Sequence, residues 1–171
     1  MASSVALGTA YERTVQALLT SFGARLSAVG GAFDQGTDLT GTWALPWPTR
    51  AAAPGDRITL QCVVHAPRIV PVVVQCRATA MPFGVGAMRE FQHACGSRFG
   101  GALAVVACTS GFAIESLAKE REWARARTLL LTVSPRGELL AAHSLVRAGA
   151  VERVEDAIAF VISRVERERM E

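Results

Sequence analysis

Gly30-Gly31-Ala32-Phe33-Asp34-Gln35-Gly36-Thr37-Asp38-Leu39 is the stretch on which the fold turns, together with Val74-Gln75-Cys76-Arg77 further along. The first carries two carboxylates, Asp34 and Asp38, through glycine-rich backbone into an alternating segment, residues 37–45, with the pattern of a strand. In the second, Gln75 and Arg77 are two apart on a run of β-branched residues. Both side chains then point to one face of a sheet, and Cys76 points to the other, into the core. Acidic residues on one strand beside a polar–x–basic pair on its neighbour are what a magnesium-dependent phosphodiesterase needs. Carboxylate oxygens hold a hard cation. The cation polarises phosphate and acidifies bound water, and a neighbouring cationic group offsets the charge that develops. On turn chemistry alone, Asp34 and Asp38 serve equally well as hairpin-turn formers.

Working outward, the elements on either side predict an α/β domain. Tyr11, Val15, Leu18, Leu19 and Phe22 fall at helical spacing, with Thr9 and Glu12 placed as a capping box and Gly23 as a stop. Residues 25–29, 37–45, 58–64 and 69–76 read as strands, the last beginning just after Pro71, which is awkward inside a sheet. A proline- and alanine-rich loop separates the second from the third. Phe83-Gly84 opens a second helix that buries Met88, Phe91 and Cys95. Residues 103–108 form a continuous apolar run, as in a central strand covered on both faces. A third helix over 113–125, a buried strand over 128–133, a turn at Pro135-Arg136-Gly137 and an amphipathic stretch over 154–165 complete the order. An early meander followed by β–α alternation argues for a mixed central sheet flanked by helices. One domain, residues 8–167, accounts for the chain.

Composition limits the function classes. The 171 residues are half hydrophobic, enough for a core without disulfides. Eighteen basic residues nearly balance fifteen acidic ones, for a net charge of +3, so nucleic-acid binding would need a local basic patch. Cys62, Cys76, Cys95 and Cys108 form no CxxC pair, which argues against structural zinc and for reduced thiols, with Cys76 and Cys108 buried on central strands. No apolar run is long enough to span a membrane. Met1 to Ala10 lacks the character of a transit peptide or a secretory signal.

Six short motifs stand in a fixed order: Gly8-x-x-Tyr11-Glu12, Phe22-Gly23, Gly31-x-x-Asp34-x-Gly36-x-Asp38-Leu39, Val74-Gln75-Cys76-Arg77, Met88-Arg89-Glu90-Phe91 and Thr109-Ser110-Gly111-Phe112. In that order they resemble the Mrr-like nuclease domains, and most closely the fungal, mitochondrial required for respiratory growth protein 7 family. The resemblance runs over residues 8–135. It implies a restriction-endonuclease-like fold of the PD-(D/E)XK superfamily, an αβββαβ core with a C-terminal helix added. It also implies a mitochondrial location, DNA as partner, and a Mg2+ site for endonucleolytic cleavage. By position, Asp38 matches the metal-binding aspartate, Gln75 the second metal-site position, Asp34 an acidic position in the turn, and Glu12 the first-helix glutamate that can face the site. Arg77 stands where the family has lysine. Guanidinium is planar, bulkier and always charged, so it clamps phosphate well and positions a water poorly. The altered site leaves two expectations open, a metal-dependent DNA endonuclease and a non-catalytic DNA-binding or structural factor. A homodimer is also left open.

Other residues carry less. His65, His93 and His143 are scattered. Arg89 and Glu90 fit a local ion pair on the second helix, and Trp43 and Trp47 fit core or rim packing. Arg77, Arg89 and Lys119 are the cations placed to supply a field for phosphate.

Overall fold

The computed structural model describes residues 4–29, 36–45, 67–113 and 128–145. The elements in order are α1 (Ser4–Ser21), β1 (Ala24–Ala28), β2 (Leu39–Leu45), β3 (Arg68–Arg77), α2 (Val85–Arg98), β4 (Leu103–Cys108), β5 (Thr128–Val133) and β6 (Leu139–Leu145). The strands form one mixed sheet in the order β1-β2-β3-β4-β5-β6. β1, β2 and β3 are an antiparallel meander. β4 lies parallel to β3, β5 parallel to β4, and β6 returns antiparallel. The expected strand over 58–64, the helix over 113–125 and the amphipathic stretch over 154–165 fall outside the described residues, save Ala113.

Alternation along the strands sorts side chains into two cores. Leu39, Trp43, Val70, Val72, Val74, Leu103, Val105, Leu129 and Leu131 face α1, which contributes Tyr11, Val15, Leu18, Leu19 and Phe22. Val73, Ala104, Val106, Cys108 and Leu130 face α2, which contributes Met88, Phe91 and Cys95. β4 is buried throughout because successive residues feed opposite cores.

Polar ties fix the helices at chosen points. Tyr11 OH donates to Val133 O at 3.1 Å and Trp43 Nε1 to Phe22 O at 2.8 Å, so each buried aromatic brings its polar atom to a backbone carbonyl. Gln16 Nε2 donates to Leu26 O at 2.8 Å. Counting back from the Val29 N–H bond to Asp38 O, strand alternation puts that carbonyl on the outer side of β1. A side chain of α1 thus covers a backbone acceptor on a sheet edge. On the other face, Gln92 Nε2 donates to Thr128 Oγ1 at 3.2 Å and ties α2 to the start of β5.

Several expectations need correction. α1 begins at Ser4, so Thr9 lies inside the helix and is not its cap; Val5, Ala6 and Leu7 extend it, and Gly8 meets no neighbouring atom there. β3 begins at Arg68 and contains Pro71, opposite Thr42 of β2. The missing N–H of Pro71 points toward the β4 side, and β4 enters only at Val72, opposite Leu103, so no rung is lost. Cys76 is half-buried, because it sits where β3 nears its end and the cover from α1 thins. β6 was not anticipated: Leu139-Leu140-Ala141-Ala142 has no two-residue period and alanine is a poor strand former. Its hairpin turns at Gly137, with φ +87, and Ser134 Oγ accepts from the N–H groups of Arg136 and Glu138. No helix among the described residues is long and apolar enough to cross a membrane.

Gly41 is the tightest approach in the meander: a β-carbon there would collide with the Arg25 carbonyl oxygen across the β1–β2 pair. Gly41→Ala is expected to lower unfolding free energy by roughly 3 kcal/mol, the upper range for overpacking. Gly8→Ala, in open space on α1, is expected to raise it by about 0.5–1 kcal/mol. Urea unfolding of both variants checks the pair, and similar midpoints would contradict it.

Candidate functional site

The candidate site lies where β2 and β3 part. Asp38 N–H still reaches Val74 O at 2.9 Å, and Asp38 O accepts from Val29 N–H at 2.8 Å. Beyond this point a side chain replaces the ladder: Asp38 Oδ2 accepts from Cys76 N–H at 2.6 Å. A carboxylate bonded to a backbone donor makes a strong, charge-assisted hydrogen bond. It holds Asp38 at the β3 edge, half-buried.

Gln75 and Arg77 follow on β3, on the α2 side of the sheet, by alternation from Val73. Gln75 is 4% exposed, and its Oε1 has no hydrogen-bond partner. Arg77 is exposed at the strand end. Gly36, with φ +79, lies close against this pair: a β-carbon there would stand 2.6 Å from Gln75 Nε2 and 3.7 Å from Arg77 Nη2. Only glycine allows both that backbone conformation and that approach. Gly36, the Gln75 amide and the Arg77 guanidinium are thus brought together.

Glu12 reaches the same neighbourhood from the other face. It is half-buried on α1, one residue after the buried Tyr11. Burial, then the negative charges of Asp38 and Glu12, push the Cys76 thiol well above the usual range, against the pull of Arg77. Cys76 therefore feels both carboxylates and the guanidinium. Glu12 and the Cys76 side chain lie on the α1 side, Gln75 and Arg77 on the α2 side, and Asp38 at the strand edge between them. Asp34 lies outside the described residues, as do Lys119, Trp47, Cys62 and His65. Among the described residues no three His, Cys, Asp or Glu side chains converge to hold a metal ion. The hard donors are the Asp38 carboxylate at the strand edge and the unpartnered Gln75 oxygen on the α2 side, with the Glu12 carboxylate across the sheet on the α1 side.

Of the remaining candidates, Arg89 and Glu90 are exposed on α2, His93 and His143 are exposed, and Trp43 is fully buried in the core facing α1. Cys76, Cys95 and Cys108 are free thiols. Sequence reasoning gave no role to Cys76 N–H, the donor that holds Asp38. A backbone group leaves no residue-type signal, and only the strand register reveals it.

A profile of the family described as Required for respiratory growth protein 7 matches residues 3–98, more than half of the chain. The chain belongs to that family. No curated protein and no solved structure matches it. In this member of the Required for respiratory growth protein 7 family, the matched stretch runs through α1, the meander and α2. It contains Glu12, Asp34, Asp38, Gln75 and Arg77 and ends before β4.

Two predictions follow from the site and its thiols. Removing the Asp38 carboxylate leaves Cys76 N–H without its acceptor, so Asp38→Ala is expected to cost about 1.5–3 kcal/mol of stability. Asp38→Asn, which keeps an acceptor oxygen, should cost less. Equal losses in thermal unfolding would show that the bond contributes little. Separately, burial raises the thiols of Cys95 and Cys108 from the ordinary 9.0 to about 11. A group with a raised folded pKa keeps its full contribution below the unfolded value, so stability should hold below pH 9 and fall as pH rises toward 11. Urea midpoints between pH 8 and pH 10 read this directly, and Cys95→Ala should flatten the slope.

Proposed function

We propose that this chain is a nuclease-fold protein of the restriction-endonuclease-like kind that engages DNA phosphate where β2 and β3 part, in support of the respiratory growth named in its family's description. The element order α1-β1-β2-β3-α2-β4 supports the fold reading, since it is the αβββαβ order that the sequence resemblance implies. The observation that carries the functional reading is the Gln75 amide oxygen, buried and without a donor. A buried acceptor left unpaired costs on the order of 1–3 kcal/mol, so such a group calls for an explanation. A ligand that supplies the missing partner is that explanation.

A hard cation fits the donor chemistry. Mg2+ is commonly held by one or two carboxylates and otherwise keeps its waters. Asp38 and Gln75 Oε1 would hold it here, and Asp34, outside the described residues, is the further ligand that the resemblance suggests. Such an ion, when bound, supplies Lewis acidity toward phosphate and a more acidic water. The chain's own residues do the rest. Cys76 N–H orients Asp38, Gly36 packs against the Gln75 amide, and Arg77 binds a phosphate oxygen and offsets its charge.

A second reading has its own support. Arg77 replaces the family lysine, and one oxygen of Asp38 is already engaged by Cys76 N–H. Both features favour binding over cleavage, giving a DNA-binding factor that kept the site's frame. A respiratory role makes a mitochondrial location the matching expectation, which a fluorescent fusion of the full-length protein tests.

Purified protein incubated with supercoiled plasmid and Mg2+ or Mn2+ separates the readings. Cleavage that disappears in Asp38→Ala upholds an endonuclease. If the wild type is inert and Arg77→Lys cleaves, the arginine alone silences the site, because lysine restores a compact ammonium beside the attacking water. Salt-sensitive DNA binding with no cleavage by either protein upholds the binding factor. Absence of DNA binding at low salt removes both.

A further inference from the structure

The Thr109-Ser110-Gly111-Phe112 motif lies beyond the family match and has no part in the site as described so far. It follows β4 directly, and its hydrogen bonds converge on the residues after β3. Arg77 is opposite Cys108 in the last rung between the two parallel strands. Thr109 N–H then donates to Arg77 O at 3.2 Å, continuing the ladder one step past that rung. From there side-chain hydroxyls take over. Thr109 Oγ1 donates to Thr79 O at 2.8 Å and Ser110 Oγ to Met81 O at 2.6 Å. Thr79 Oγ1 also donates to Met81 O at 2.8 Å, and Phe83 N–H closes the stretch on Gly111 O at 2.9 Å.

The stretch needs such bonds. Residues 77–82 are all exposed, so no apolar burial holds Arg77 or the loop behind it. The first buried anchor is Phe83, packed edge-on against Phe112 with ring centroids 6.1 Å apart. An exposed arginine at a strand end keeps a defined direction only if its backbone is fixed. Here Arg77 O is held from β4 by one main-chain donor, and the backbone two and four residues behind it by two hydroxyls.

We infer that Thr109 and Ser110 are positioning residues for Arg77: they extend the β3–β4 ladder by side-chain hydroxyls and so fix the guanidinium that meets phosphate. The inference rests on the phosphate-binding reading above. Because each hydroxyl acts on a backbone carbonyl, serine can replace threonine at 109 and valine cannot.

The test uses the full chain and a fluorescein-labelled DNA duplex, with affinity measured across a salt series. Each phosphate contact adds about 0.9 to the slope of log affinity against log salt. Arg77→Ala should flatten the slope by about one contact. Thr109→Val should flatten it as much, the double variant no further, and Thr109→Ser should restore the wild-type slope. A wild-type slope in Thr109→Val, or a loss that adds to that of Arg77→Ala, overturns the inference. Hydrogen exchange of peptide 77–84 provides a readout that needs no nucleic acid. If the wild type binds no duplex, the proposed function falls, while faster exchange of that peptide in Thr109→Val still upholds the hold on the backbone behind Arg77. Unchanged exchange overturns the inference under either binding result.

Discussion

The hydrogen bond from Cys76 N–H to Asp38 Oδ2 is the constraint on which the arrangement around β3 depends. Two antiparallel strands must separate somewhere, and where they do, an interior backbone donor loses its partner. Leaving it unpaired in a half-buried place would be expensive. Asp38 meets this need with a carboxylate, which lets the preceding loop leave the sheet without orphaning β3. Gly36 then comes close against Gln75, where positive φ and the absence of a β-carbon are both required. One side chain therefore ends the β2–β3 pairing.

β3 is suited to this because it joins two kinds of sheet. It is antiparallel to β2 on one side and parallel to β4 on the other. Its alternate backbone groups serve those two neighbours, and its alternate side chains serve two cores. At its carboxyl end all four directions open together: Cys76 N–H toward Asp38, Arg77 O toward Thr109, the Cys76 thiol toward α1, and Gln75 and Arg77 toward the α2 face. Crevices outside the carboxyl ends of parallel strands are where open α/β sheets place ligands.

Much of this was legible in the sequence. The apolar stripe of α1, the buried run 103–108 and the opposed faces of Gln75 and Cys76 follow from helical and two-residue periods, and the Gly23 stop from glycine's freedom to take positive φ. The start of α1 was misplaced because Thr9 and Glu12 imitate a capping box, whereas Val5, Ala6 and Leu7 are good enough formers to carry the helix past it. β6 escaped because its alternation is blurred by paired leucines and paired alanines. It is a strand because β5 offers an open edge, a tertiary cause that no local pattern reports. At the site, the residue types Asp38, Gln75 and Arg77 could be named from sequence. The bond that holds Asp38, the missing partner of Gln75 and the hydroxyl ties to the backbone behind Arg77 could not, since each depends on strand register and tertiary packing.

The charge balance at the end of β3 bears on what the site can hold. A carboxylate in the place of Gln75 would add a full negative charge, whereas the amide offers a dipole and one unpaired oxygen. Asp38 already spends one oxygen on Cys76 N–H, which draws some of its negative potential toward the backbone. Arg77 adds a positive charge on a planar, delocalised group suited to clamping phosphate. Each of these weakens attraction for a divalent cation and strengthens attraction for phosphate. The unpaired Gln75 oxygen works the other way, because it asks for a donor or a cation and a bare phosphate oxygen provides neither. If the site takes a phosphodiester, as we propose, a water or weakly held cation must accompany it: Arg77 would take the anionic oxygen, and the water or ion would complete Gln75.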